Sequence, residues 1–103
     1  MEAKILIVHA QELNPEGEFE ARYSFKVYEF PNGAIMVPSD TSHDWFFCSR
    51  DEIEPCGTAI TESVEDTGET ITFSLETLND AISGSIGEFG ESEGTSKFQE
   101  LLQ

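Results

Sequence analysis

Basic residues are scarce in this 103-residue chain: 5 Lys and Arg stand against 21 Asp and Glu, a formal net charge of −16. That imbalance disfavours contact with nucleic-acid phosphates or an anionic membrane surface, and it favours a basic partner. It also leaves few groups able to stabilise an anionic transition state. Long apolar runs are missing as well. Ile5 to Val8 is too short for the apolar region of a signal peptide and far below a membrane span, so a soluble, cytoplasmic protein is expected. Only two cysteines occur, Cys48 and Cys56. Their spacing permits a small disulfide loop or two reduced thiols, and a cytoplasmic setting favours the reduced pair.

The residues that carry chemistry lack the spacing chemistry needs. A structural zinc site shows Cys pairs two to four residues apart, and Cys48, Cys56, His43 and His9 do not form one. A calcium loop needs oxygen ligands in a fixed order with a Gly at the sixth position, which neither Glu62–Glu69 nor Asp51–Glu54 reproduces. Cys48 can be drawn with His43 or His9 as a nucleophile and base, but no local motif supports that pairing. Gly84, Gly87, Gly90 and Gly94 are followed by no lysine, and Glu88, Glu91 and Glu93 among them would repel a phosphate. No enzyme, metal or cofactor is expected.

What is present is enough to fold one domain. Hydrophobic residues make up 38% of the chain and eight are Phe, far more aromatic than a disordered acidic tail. Lys4–Ala10 is apolar on both alternating faces and reads as an interior strand. From Phe19 to Phe30 the chain alternates, with Phe19, Ala21, Tyr23, Phe25 and Val27 expected to face the core. Asn32–Gly33 supplies a tight turn into a paired strand over Ala34–Val37, closed by Pro38. Trp45–Cys48 is an aromatic block, either a fourth strand or a plug in the core. Thr58–Val64 and Thr70–Phe73 are rich in β-branched residues, and Gly68 between them suits the tip of a second hairpin.

Ser74 can cap a helix starting at Leu75, whose apolar stripe runs through Leu78, Ile82, Ile86 and Phe89. Glycine is poor inside helices, so the helix is expected over 75–83 with Gly84 as its cap. Residues 84–95 then read as a flexible Gly/Ser/Glu-rich segment, followed by a short C-terminal helical turn packing Phe98, Leu101 and Leu102. The expected fold is α+β: a four- to five-stranded antiparallel meander sheet with one helix packed on one face. An open sheet edge leaves a homodimer possible.

Charge is distributed unevenly along this chain. Asp51, Glu52, Glu54, Glu62, Glu65, Asp66, Glu69, Glu76, Asp80, Glu88, Glu91 and Glu93 lie between Asp51 and Ser96 without a single Lys or Arg. Acids kept for solubility or for high salt should be scattered over the whole surface, so clustering favours a site. Carboxylates two residues apart on a strand stand about 6.7 Å apart on one face, and a hairpin with a helix would array them in two dimensions. The partner-binding candidates are Glu62, Glu65, Asp66, Glu69, Glu88, Glu91 and Glu93, followed by Asp51, Glu52 and Glu54.

In size, charge and lack of catalytic motifs the chain resembles the DNA-mimic inhibitors of bacteriophages and mobile elements. The resemblance implies a partner that itself binds nucleic acid, such as a CRISPR effector or a restriction enzyme, blocked sterically in the host cytoplasm. Two other readings suit the same charge: an immunity or antitoxin protein neutralising a basic toxin, and an acidic structural or salt-adapted domain.

Overall fold

The fold was analysed in a computed structural model, which describes residues 1–39, 44–53 and 59–103. Five strands form one antiparallel sheet: β1 (Glu2–Leu13), β2 (Phe19–Glu29), β3 (Ile35–Pro38), β4 (Trp45–Cys48) and β5 (Ala59–Thr72). Their order is β4-β3-β2-β1-β5, a four-strand meander with β5 added beside β1. Helices α1 (Leu75–Phe89) and α2 (Glu93–Leu101) follow, so the architecture is α+β as expected.

Local chemistry explains the hairpins. Asn14 Oδ1 accepts the backbone N–H groups of Glu16 and Glu18 at 3.1 and 2.9 Å, with Gly17 at φ +82° closing the β1–β2 turn. The Phe30–Ala34 turn places Gly33 at φ +88°, where its N–H donates to Phe30 O. Positive φ of this kind is strained for any side chain with a Cβ.

The sheet has two unlike faces. Ala3, Phe30, Met36, Phe47, Leu78, Ile82 and Phe98 form the core under the helices, where Phe98 packs on Phe47 and Phe30 at ring distances of 4.4 and 5.1 Å. Leu6, Val8, Val27, Ile35, Val37, Cys48 and Ile53 cluster on the reverse face. Interior strand β1 therefore buries Leu6 and Val8 completely, while Ile5 and Ile7 are half-buried. On β2 only Val27 is fully buried; Ala21, Tyr23 and Phe25 are half-buried and Phe19 is exposed. The expected core stripe thus fades toward the β1–β2 turn. Twelve residues of β1 at about 3.3 Å each approach the 45 Å long axis of the molecule, and that end of the sheet reaches beyond its cover.

Three expectations are corrected. The second hairpin does not form: β5 runs unbroken from Ala59 to Thr72 and pairs with β1 from Glu12 to Glu2. A twelve-residue strand offers its whole outer edge for pairing, and one long partner satisfies more of those backbone groups than a folded-back hairpin. Gly68, at φ +76°, serves a bulge in which Thr67–Glu69 stand opposite Ile5 alone. The hydroxyl of Thr67 donates to Ile5 O at 2.7 Å and accepts the N–H of Glu69.

Helix α1 does begin under the Ser74 cap, whose Oγ accepts Thr77 N–H, but it passes Ser83 and ends at Phe89, with Gly90 at φ +80° as its cap. The C-terminal turn is in turn a nine-residue helix, capped by Ser92 and Thr95 exchanging side-chain bonds. Two glycines that resembled helix breakers are spacers: a Cβ on Gly84 would lie 2.5 Å from Asp44 Oδ1, and one on Gly94 would lie 2.1 Å from Phe47 O.

Candidate functional site

Sheet order separates the acids into two groups. Glu62, Glu65, Asp66 and Glu69 lie on β5, while Asp51 and Glu52 follow β4, the opposite edge. Four interstrand spacings of about 4.8 Å put those edges roughly 19 Å apart. The expected continuous array is therefore not formed. Glu54, His43 and Cys56 lie outside the described residues.

The β5 acids are largely occupied. Glu62 accepts from Gln11 Nε2, and its Oε1 stands 3.3 Å from Arg22 Nε. Glu65 Oε1 is 3.5 Å from His9 Nε2, and His9 Nδ1 is 2.9 Å from Ser24 Oγ. Asp66 accepts from Gly68 N–H and lies across from Leu6, on the reverse face. Bases absent from the local sequence thus arrive from β1 and β2 through the strand register. The charges also have a local use, since acids and bulges on a long edge strand oppose pairing with another chain.

The other group surrounds the outer side of β4. A 3-10 turn, Arg50–Glu52, carries Asp51 and Glu52; Ser49 Oγ donates to both carboxylates, and Ser49 N–H donates to Glu52 at 3.1 Å. Across an open cleft of roughly 330 Å³, lined by Phe46, Phe47, Cys48, Asp51, Glu52, Ser92 and Gly94, lies the link between the helices. Glu91 and Glu93 flank Ser92 in that link. Glu88 sits in the last turn of α1, which holds no base, at the end of the helix dipole that disfavours a carboxylate. Glu93, in the first turn of α2, is favourably placed by the same rule.

Two residues missed as candidates complete this corner. Phe46 and Phe89 are 42% and 39% exposed, and their rings meet edge to face at 5.8 Å and 82°. Phe89 wraps the end of α1 around the β4 edge. Alternation within Trp45–Cys48 already set Phe46 apart from its core-facing neighbours, whereas Phe89 was hidden by ending the helix too early.

Cys48 lies beneath the cleft as a buried free thiol. Burial, then the carboxylates of Glu52 and Asp51, push it up to about 12, so it stays protonated and is a poor nucleophile or metal ligand near neutral pH. Among the described residues no group of three or more His, Cys, Asp or Glu is placed to hold a metal ion, and no helix is long and apolar enough to cross a membrane. Compared with protein-family models, curated proteins and solved structures, the chain has no match.

Proposed function

We propose that this chain is an acidic inhibitor of the DNA-mimic kind, made by a phage or mobile element, that occupies the basic nucleic-acid-binding surface of a host defence protein in the cytoplasm. A CRISPR effector or a restriction enzyme is a target of the right chemistry. The observation that carries the reading is the β4 corner: an exposed aromatic pair whose Phe46 shares a cleft with Asp51 and Glu52, with Glu88 next to Phe89 in the chain and Glu91 and Glu93 flanking Ser92 on the far side of that cleft. Exposed aromatic anchors within a charged rim are the usual make-up of an energetic centre in a protein interface. Glu88 and Glu91 add to it, because neither has a base within ion-pair distance among the described residues. Like charges held together without compensation are stabilised by a cationic partner.

The proposed mechanism is occupancy. Duplex DNA carries one charge per about 1.7 Å of axis and is gripped through Lys and Arg contacts to phosphate. Carboxylates presented on the turn and helix ends around β4 engage the same side chains and exclude the nucleic acid sterically.

Capture on the immobilised protein at low salt, with elution by salt and by duplex DNA, tests the reading. A retained DNA-binding protein released by both agents is the expected result. Retention that DNA fails to relieve overturns mimicry. A second reading, acidity for solubility or high salt, is favoured by Glu12, Glu16, Glu18 and Glu20 around the exposed β1–β2 turn, far from the β4 corner. It predicts stability that climbs into molar salt and no retained target.

A further inference from the structure

We propose that the Phe46–Phe89 pair is a receptor for arginine, so that the partner engages this corner through guanidinium groups rather than through lysine ammonium groups. The inference rests on the reading of the corner as the contact site for a basic partner, and it specifies that partner's chemistry. Two rings meeting at 82° with two-fifths of each residue exposed offer a flat π-face and an adjoining wall. Asp51 and Glu52 stand on one side of the neighbouring cleft and Ser92, between Glu91 and Glu93, on the other.

A guanidinium is planar, weakly hydrated and able to stack on an aromatic face while its N–H fork meets a carboxylate. An ammonium is compact and strongly hydrated, and it gains less from the rings. The same three-part arrangement exists elsewhere in this molecule. Arg22 places its Cζ 5.1 Å from the centre of the Phe19 ring while its Nε stands 3.3 Å from Glu62 Oε1. At the β4 corner the aromatic and carboxylate components are present on the surface, and the guanidinium is the component a partner would bring. The nearby bases are Arg50, on the turn that carries the acids, and Lys97, beside Glu93 along α2. Neither is within ion-pair distance of a carboxylate among the described residues.

Titration of the whole protein with nona-arginine and nona-lysine peptides at one fixed ionic strength, followed by calorimetry, tests the proposal. Nona-arginine is expected to bind roughly three-fold more tightly, the range that stacking on exposed rings supports. The double variant Phe46→Leu/Phe89→Leu should erase that preference and leave nona-lysine affinity unchanged. In the unmodified protein, ring-proton resonances of Phe46 and Phe89 should shift with nona-arginine and stay still with nona-lysine, a readout independent of how well the variant folds. Equal affinity for the two peptides, or a preference that survives in the double variant, overturns the arginine assignment and leaves the basic-partner reading standing. Failure of both peptides to bind overturns both.

Discussion

The sheet has two edges, and this chain treats them in opposite ways. At β4 the edge is short and covered: Phe89 wraps around it, and the start of α2 lies so close that only a glycine at position 94 clears Phe47 O. At β5 the edge is fourteen residues long and has no strand beside it among the described residues; it is interrupted by bulges near Glu62 and Gly68 and studded with Glu62, Glu65, Asp66 and Glu69. Both devices keep a sheet from growing by edge pairing. Acidity thus has two different jobs in one small protein. On β5 it protects an edge already shared with Arg22 and His9; around β4, where packing already protects the edge, the acids are surplus to that need, and they are the ones the proposed function uses.

Substitutions that separate packing from charge sharpen the contrast, and the largest effect belongs to the covered edge. Gly94→Ala forces a Cβ into the Phe47 carbonyl and should lower stability by about 3 kcal/mol in urea unfolding, as overpacking against backbone does. Neutralising the β5 edge, with Glu62, Glu65, Asp66 and Glu69 all changed to Thr, should raise the mass seen in sedimentation velocity; the same number of changes at Glu88, Glu91, Asp51 and Glu52 should leave the mass unchanged.

Titration of Cys48 probes the covered edge without altering its shape. Unfolded, the thiol loses its proton near 9, whereas folded it holds it to about 12. The folded state therefore binds the extra proton between those values, so the contribution is complete below pH 9 and falls away as pH rises toward 12. Cys48→Ala should flatten the stability profile in that window. Smaller effects are expected on β5. Gly68→Ala places a side chain at φ +76° in open space and should reduce stability by about 1 kcal/mol. Arg22→Ala, which removes a solvent-exposed ion pair, should change it by less than about 0.5 kcal/mol; a larger loss would show that Glu62 depends on its base.

Elements whose signals are local were legible in the sequence. Alternation in β2, the Asn32–Gly33 turn and the Ser74 cap each depend on neighbours within a few residues, and each is found in place. Gly68 was not legible, because a hairpin tip and a bulge use the same left-handed backbone. The choice between them depends on whether β1, more than fifty residues earlier, offers an edge. Gly84 and Gly94 follow the same rule: their low helix propensity is local, while their reason, the approach of Asp44 and Phe47, is set by tertiary packing. The acids themselves were evident from composition. Their division was not, since only strand order shows that Asp51 and Glu52 follow one edge of the sheet while Glu62 and Glu65 meet Arg22 and His9 on the other.

The β1–β5 ladder joins Glu2 to Thr72 and Glu12 to Ala59, the longest connections in the sheet. During synthesis the meander of β1 to β4 can assemble while β5 is still being made, and for that interval the outer edge of Ile5–Ala10 has no partner. Closing so large a loop is slow relative to forming a hairpin. The edge that ends as the interior of the sheet is therefore its most exposed pairing surface at birth, and the strand that seals it brings acids and bulges, the features that oppose further edge pairing, to the new edge.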